Sequence, residues 1–281
     1  MAYLSVRGVD HYYEWIKTPS DSQKKAVMVF VHGWAGSGRY WQSTAKALSH
    51  KFDCLLYDMR GFGRSLSKSQ SLSPSSNATY ELEEYAHDLA VLIDELQLGE
   101  VYINAHSMGT SIVTLFLNRY PQRVKKAILT CAGIFEYDKK AFEAFYKFGG
   151  YVVKFRPKWL SKIPFADQMF MARFLHRPIP KSDRQDFLED FLIADYDAAL
   201  GTIFTCVSKQ QAESMPSEYA QIKVPTLLIS GEFDQIIPAK LGKNAALLNN
   251  SVEFSLISQT AHFPMLEDSE TYLERVWRFL E

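Results

Sequence analysis

The sequence predicts an α/β fold: a mostly parallel sheet with helices on both faces, carrying an inserted helical segment. Three observations point there. Short apolar runs alternate with segments of helical periodicity at both ends of the 281-residue chain. The runs are almost continuously hydrophobic, as strands buried on both faces must be. Between them, from about Ile134 to Met215, the alternation stops; aromatics abound, and Gly149-Gly150, Pro157, Pro164, Pro178 and Pro180 break the chain into short helical pieces.

In chain order, Leu4 to Ile16, bent at Gly8, is expected to be an antiparallel hairpin on one sheet edge. Ala26 to Val31 is a β-branched strand, and Tyr40 to Leu48 is helical. A second strand, Asp53 to Tyr57, enters the glycine-bearing loop Asp58 to Ser65, and the serine-rich stretch to Thr79 reads as an irregular surface loop. Leu82, Tyr85, Leu89, Leu92, Ile93 and Leu96 then mark an amphipathic helix. Val101 to Ala105 is a strand, followed by a helix to Tyr120 and a strand at Val124 to Cys131. After the insert come strands at Pro225 to Ser230 and Val252 to Ile257, and a closing helix from Glu267 to Leu280. The domain organisation expected is a core of 1–133 and 217–281 with a cap of 134–216.

A hydrophobic fraction of 47% and a charged fraction of 22% are ordinary for a globular chain, and a net charge of -1 gives no reason to expect nucleic acid. Cys54, Cys131 and Cys206 match no zinc spacing and read as reduced thiols, which suits a cytoplasmic location. Met1 to Ser5 lacks the basic and apolar regions of a secretory signal, so none is expected.

The chemistry centres on Asn104-Ala105-His106-Ser107-Met108-Gly109, a small-x-Ser-x-Gly pattern between strand and helix. Such an elbow exposes a serine hydroxyl on a tight turn and points the next backbone N–H at developing negative charge. A serine needs a base, and His262, after the last strand, is the candidate. Asp234, closing the strand that begins at Pro225, would orient that histidine; Glu232 competes locally, and Glu136 or Asp138 are substitutes. Met108 and Trp34, the latter after His32-Gly33, are the candidate N–H donors for an oxyanion hole.

His32-Gly33-Trp34, the Asp58 to Ser65 loop, His106-Ser107-Met108-Gly109, Gly231-Glu232-Phe233-Asp234 and His262 together resemble the α/β-hydrolase superfamily, over nearly the whole chain outside the insert. The resemblance implies an eight-stranded, mostly parallel sheet with a helical cap over the active site. Ala105 stands where the family usually has glycine. Asp58 and Arg60 match a family loop that is usually structural. Serine at 107, where haloalkane dehalogenases and epoxide hydrolases use aspartate, argues against those two activities.

The expected activity is hydrolysis of a carboxylic ester or thioester with a hydrophobic acyl or alcohol portion, using no metal or organic cofactor. Trp34, His106, Phe142, Phe145, Tyr146, Phe170 and Phe263 are the expected substrate-binding residues. C–C bond hydrolysis, lyase, amidase or cofactor-free haloperoxidase chemistry could use the same triad, and a ligand receptor could retain it. Lys147, Lys154, Arg156 and Lys158, interleaved with Phe155 and Trp159, raise a transient contact of the cap with a membrane surface.

Overall fold

A computed structural model describes residues 2–18, 25–66 and 79–281, without the side chains of Ala141, Phe145 and Phe148. Most of the serine-rich loop expected at Ser65 to Thr79, and the side chain of the expected pocket residue Phe145, therefore lie outside the described residues.

Among the described residues, eight strands form one sheet. β1 (Ala2–Val6) and β2 (Val9–Ile16) make the expected hairpin. β3 (Ala26–Val31), β4 (Phe52–Tyr57), β5 (Val101–His106), β6 (Val124–Thr130), β7 (Thr226–Gly231) and β8 (Val252–Ile257) follow. The order across the sheet is β1-β2-β4-β3-β5-β6-β7-β8. β2 runs antiparallel to β4, and every pairing from β4 to β8 is parallel. The central strands are buried almost throughout, which is why they read as unbroken apolar runs and not as alternating ones.

Helices cover both faces. α1 (Gln42–Leu48) and α11 (Ser269–Leu280) pack beneath β4 and β8, while α2 (Leu82–Glu95) and α3 (Met108–Arg119) pack together on the other side. The helix expected over Tyr40 to Leu48 is a 3-10 turn, Gly38–Trp41, leading into α1. The closing helix is likewise divided: α10 (Pro264–Glu267) stops at Asp268, whose backbone is non-helical and whose carboxylate caps α11 by accepting from the Thr271 N–H.

The insert is helical, as its breakers suggested. It comprises α4 (Lys139–Lys154), a 3-10 turn at Lys158–Lys162, α5 (Ala166–Met171), α6 (Lys181–Ile193), α7 (Tyr196–Cys206) and α8 (Lys209–Gln221), before α9 (Ala239–Ala246) resumes the core. The boundary expected at 216/217 falls inside α8, which continues through Pro216 and packs on α3 and α9. Polar ties fasten the insert. Asp190 on α6 accepts from Ser37 Oγ at 2.6 Å and pairs with Arg39, which also reaches Asp186 and Glu189. Trp34 Nε1 donates to the Ala199 carbonyl on α7 at 2.9 Å. The three cysteines are unpaired.

The carboxyl ends of β3, β5, β7 and β8 converge where the strand order reverses around β3, the usual place for a site in an open α/β sheet. Gly231 makes that convergence close: a Cβ there would overlap the Ala261 carbonyl oxygen on the loop after β8. Because the obstacle is backbone, Gly231→Ala is expected to cost about 3 kcal/mol of stability, the upper end of overpacking penalties. Urea unfolding measures it; a change below about 0.5 kcal/mol would mean that the loop yields easily.

Candidate active site

Ser107 sits between β5 and α3 with φ 52° and ψ -124°, a backbone region that costs a non-glycine residue roughly 1–3 kcal/mol. Two glycines make the turn sterically possible. A Cβ on Gly33 would lie 3.0 Å from Ser107 Cβ, and one on Gly109 would lie 2.5 Å from the His32 carbonyl oxygen. Ala105, where glycine is usual, is accommodated inside β5 between Val31 and Leu129. The turn is pinned by Ser107 N–H donating to the Thr130 carbonyl at 2.9 Å and Thr110 N–H donating to the Ser107 carbonyl at 2.8 Å.

His262 and Asp234 meet this serine. His262 Nε2 lies 3.0 Å from Ser107 Oγ, and its Nδ1 lies 2.7 Å from Asp234 Oδ2. The carboxylate accepts the Nδ1 proton, so Nε2 presents a lone pair to the serine hydroxyl. Asp234 is itself held by the backbone: Oδ1 accepts from the Ile236 and Ile237 N–H groups at 2.8 and 3.0 Å. Burial pushes its carboxyl up, but the charge and hydrogen bond of His262 and those two amides outweigh it and hold the group below its ordinary value. Glu232 accepts instead from the Gln259 N–H at 2.9 Å, while Asp234 is the carboxylate on His262 Nδ1. Glu136 and Asp138 line the cavity without reaching His262 Nδ1.

Two features of this cluster were not anticipated. The first is a buried hydrogen-bond chain through His106. Its Nε2 faces the His262 carbonyl at 2.7 Å, which can only accept, so Nε2 carries the proton and Nδ1 does not. Tyr40 therefore donates its hydroxyl proton to His106 Nδ1 at 3.1 Å and accepts from the Gly33 N–H at 2.5 Å. Burial, reinforced by the charge of His262, holds the His106 pKa well below its ordinary value, so the ring stays neutral. His106 thus borders the cavity with both ring nitrogens engaged in the protein's own hydrogen bonds. His32 is used in the same way: it donates through Nδ1 to the Gly33 carbonyl, accepts from the Met59 N–H, and is driven by burial down to about 4.

The second feature is Glu267. One of its carboxylate oxygens accepts from the Ala261 and Phe263 N–H groups at 2.9 and 3.2 Å, on either side of His262. The other accepts from the His176 and Arg177 N–H groups at 2.7 and 2.8 Å, in the insert. The His262 N–H completes the tie by donating to the Phe174 carbonyl at 2.9 Å. The histidine loop is thereby fixed by four backbone amides on one buried carboxylate, a role that no local sequence pattern announces.

A cavity of about 520 Å³ opens over Ser107. Trp34, Phe142, Phe170 and Phe263 of the expected substrate-binding residues line it, and so does Met108. Tyr146 does not: although it lies one turn from Phe142 on α4, its exposed ring stacks on Phe204 of α7 at 3.5 Å. Phe174, another aromatic of the insert, lines it too, and Phe187, Ile203 and Ile237 join the lining without having been singled out. Met108 opens α3, so its N–H is among those a helix leaves unpaired at its start. Trp34 follows Gly33, on which an added Cβ would lie 3.0 Å from Ser107 Cβ.

Ligand atoms of His106, Cys131 and His262 lie within 4.8 Å of one another, a spacing a metal ion could bridge. The donor set does not fit one. Both imidazoles have every nitrogen engaged, and burial pushes the Cys131 thiol well up, away from the thiolate a metal needs. The arrangement can instead convert a hydroxyl into a nucleophile beside an apolar cavity.

The order serine, acid, histidine along the chain, each at the carboxyl end of its strand, is that of the α/β-hydrolases, and the chain belongs to that family. The family model described as alpha/beta hydrolase fold matches residues 26–269. The chain is 27% identical over 288 residues to the uncharacterized hydrolase YugF of Bacillus subtilis, covering 99% of this chain and 97% of that protein. It is 25% identical over 251 residues to the non-heme chloroperoxidase CPO-A1 of Kitasatospora aureofaciens, covering 84% of each. Among solved structures, an esterase from Exiguobacterium antarcticum shares the fold with a TM-score of 0.80 at 19% identity, covering 99% of this chain and 98% of that one.

Tyr40→Phe should leave the Gly33 N–H and His106 Nδ1 buried without partners, at a cost of about 2 kcal/mol or more. Urea unfolding at neutral pH tests it, and a loss under about 0.5 kcal/mol would show that the chain is not holding the two loops together.

Proposed function

We propose that the protein hydrolyses a carboxylic ester, or a thioester, whose acyl or alcohol portion is hydrophobic. The observation that carries this reading is the line Ser107–His262–Asp234, at 3.0 and 2.7 Å, at the floor of an aromatic cavity.

In this reading Ser107 Oγ attacks the carbonyl carbon while His262 Nε2 takes the hydroxyl proton. Asp234 keeps the proton on Nδ1 and stabilises the imidazolium. The tetrahedral oxyanion is held by the N–H groups of Trp34 and Met108. As the intermediate collapses, the bond to the alkoxide or thiolate breaks and His262 returns its proton to that leaving group. An acyl-serine remains. Water then attacks it, His262 takes the water proton, and the acid departs as the proton is handed back to Ser107 Oγ.

Ser107→Ala is expected to lower kcat on p-nitrophenyl esters by about 10⁴-fold or more and to abolish labelling by a fluorophosphonate. Wild-type turnover by this variant would refute the reading. Asp234→Asn, which leaves the histidine the wrong tautomer, should lose about 10⁴-fold in kcat with little change in KM. The cavity makes a further demand. Each acyl methylene it accepts is worth about 0.8 kcal/mol, so kcat/KM should rise roughly fourfold per methylene from acetate upward until the cavity is full. A profile that falls from acetate onward would argue against a hydrophobic substrate.

A second reading, cofactor-free halide peroxidation on the same triad, is favoured by the similarity to a non-heme chloroperoxidase. Peroxide-dependent bromination in carboxylate buffer distinguishes it, since a dedicated ester hydrolase would show little of it beside its ester turnover.

A further inference from the structure

The outer surface of the insert is unlike the rest of the molecule. From Lys147 to Arg173 the chain carries six basic residues, Lys147, Lys154, Arg156, Lys158, Lys162 and Arg173, and one acid, Asp167. That acid is buried and paired with Arg184 at 2.8 Å, so it does not offset the surface charge. Arg156 is likewise turned inward, donating to the Val153 and Phe191 carbonyls, whereas the four lysines are exposed. Between them stand large apolar side chains in water: Phe155, Phe165 and Met169 expose 74%, 70% and 77% of their surface, and Tyr151 and Trp159 are exposed as well.

Isolated exposed apolar residues are unremarkable, but a run of them within one short stretch of chain marks a surface that meets something. Phe165 sharpens the point. It stands at φ 63°, where glycine or asparagine would sit without strain, yet the position holds an aromatic ring pointing into solvent. The 3-10 turn at Lys158–Lys162 packs against α5, which brings Trp159 and Met169 onto neighbouring elements.

We propose that this surface docks the protein onto an anionic lipid bilayer, with Phe155, Trp159, Phe165 and Met169 entering the interface and Lys154, Lys158 and Lys162 meeting the headgroups. Aromatic tips between flexible lysines match the layered polarity of a bilayer surface, apolar below and negative above. A second copy of the chain fits less well, because a two-fold contact through this patch would set lysines against lysines. The surface is also continuous with the cavity. α4 lines it with Phe142, Gly149 and Val152 while exposing Lys147, Tyr151 and Lys154, and α5 lines it with Phe170 beside the exposed Met169. Docking would thus bring the walls of the cavity to the lipid.

The test is co-sedimentation of the full chain with vesicles of phosphatidylcholine, with and without phosphatidylglycerol. The wild type should bind the mixed vesicles about tenfold or more tightly than the neutral ones, and lose that advantage in high salt. Phe155→Ser/Phe165→Ser/Met169→Ser and Lys154→Glu/Lys158→Glu/Lys162→Glu should each weaken binding at least about tenfold. Both should keep wild-type turnover of a soluble short-chain ester and a wild-type melting temperature. The melting temperature keeps the vesicle result interpretable even if no ester is turned over. The proposal is overturned if the wild type stays in the supernatant with both vesicles, or if both variants bind undiminished. It is equally overturned if sedimentation velocity shows a dimer that the serine variant disperses, which would make a second copy the occupant.

Discussion

The left-handed backbone at Ser107 is the constraint on which the rest of the site depends. A non-glycine residue held there must be hemmed in by neighbours that leave it no relaxed alternative. Those neighbours are the strands themselves. Gly33 brings the end of β3 against Ser107, and Gly109 lets α3 lie on the His32 carbonyl. The turn is thus set by packing of the sheet and helix, and the hydroxyl emerges where three other strand ends can reach it. Spreading the strain over a rigid core lets one half-buried side chain keep a fixed direction.

The partners of Ser107 are fixed differently, by backbone amides on buried side chains. Asp234 takes two amides from the turn that follows it, and Glu267 takes four from the two loops flanking His262. His106 and Tyr40 join the Gly33 and His262 backbones from beneath. This last chain works only while His106 is neutral, since an imidazolium would offer Tyr40 a second donor where it needs an acceptor. Burial supplies that condition: the low-dielectric surroundings that make the bonds strong also keep the proton off. Neither set of bonds touches the space where a substrate would lie, yet both fix the distances at which Ser107 and His262 face each other.

The difference between the two kinds of support explains what could be read from residue order. The strands, the hairpin and the elbow announce themselves through periodicity and glycine placement, because those patterns are local and each has one physical meaning. Ser107, Asp234 and His262 were legible because each follows a strand. Glu267 and Tyr40 were not, since a glutamate in a first helical turn and a tyrosine near a helix start have common local explanations, and their partners lie far along the chain. Tyr146 was misjudged for a related reason: in an insert rich in aromatics, composition points to a lined cavity, but whether a ring turns into it or onto Phe204 of α7 depends on residues far along the chain.

The orientation of α4 gives the insert two characters, with Phe142, Gly149 and Val152 on the cavity and Lys147, Tyr151 and Lys154 in solvent. A helix lying over a cavity must turn an apolar stripe inward to close it, and ordinary surface chemistry would then make its outer stripe polar and mixed in sign. From Lys147 to Arg173 the outer surface is neither: it is basic and aromatic, and its one acid, Asp167, is buried against Arg184. Closing the cavity would have been served equally well by glutamates at Lys154 or Lys158, and solubility better served by a polar residue at Phe155 or Phe165. The inward face answers to the cavity, whereas the outward face follows a rule that the cavity does not impose. The two meet within a single helical turn at Met169 and Phe170, one exposed and the other in the cavity wall.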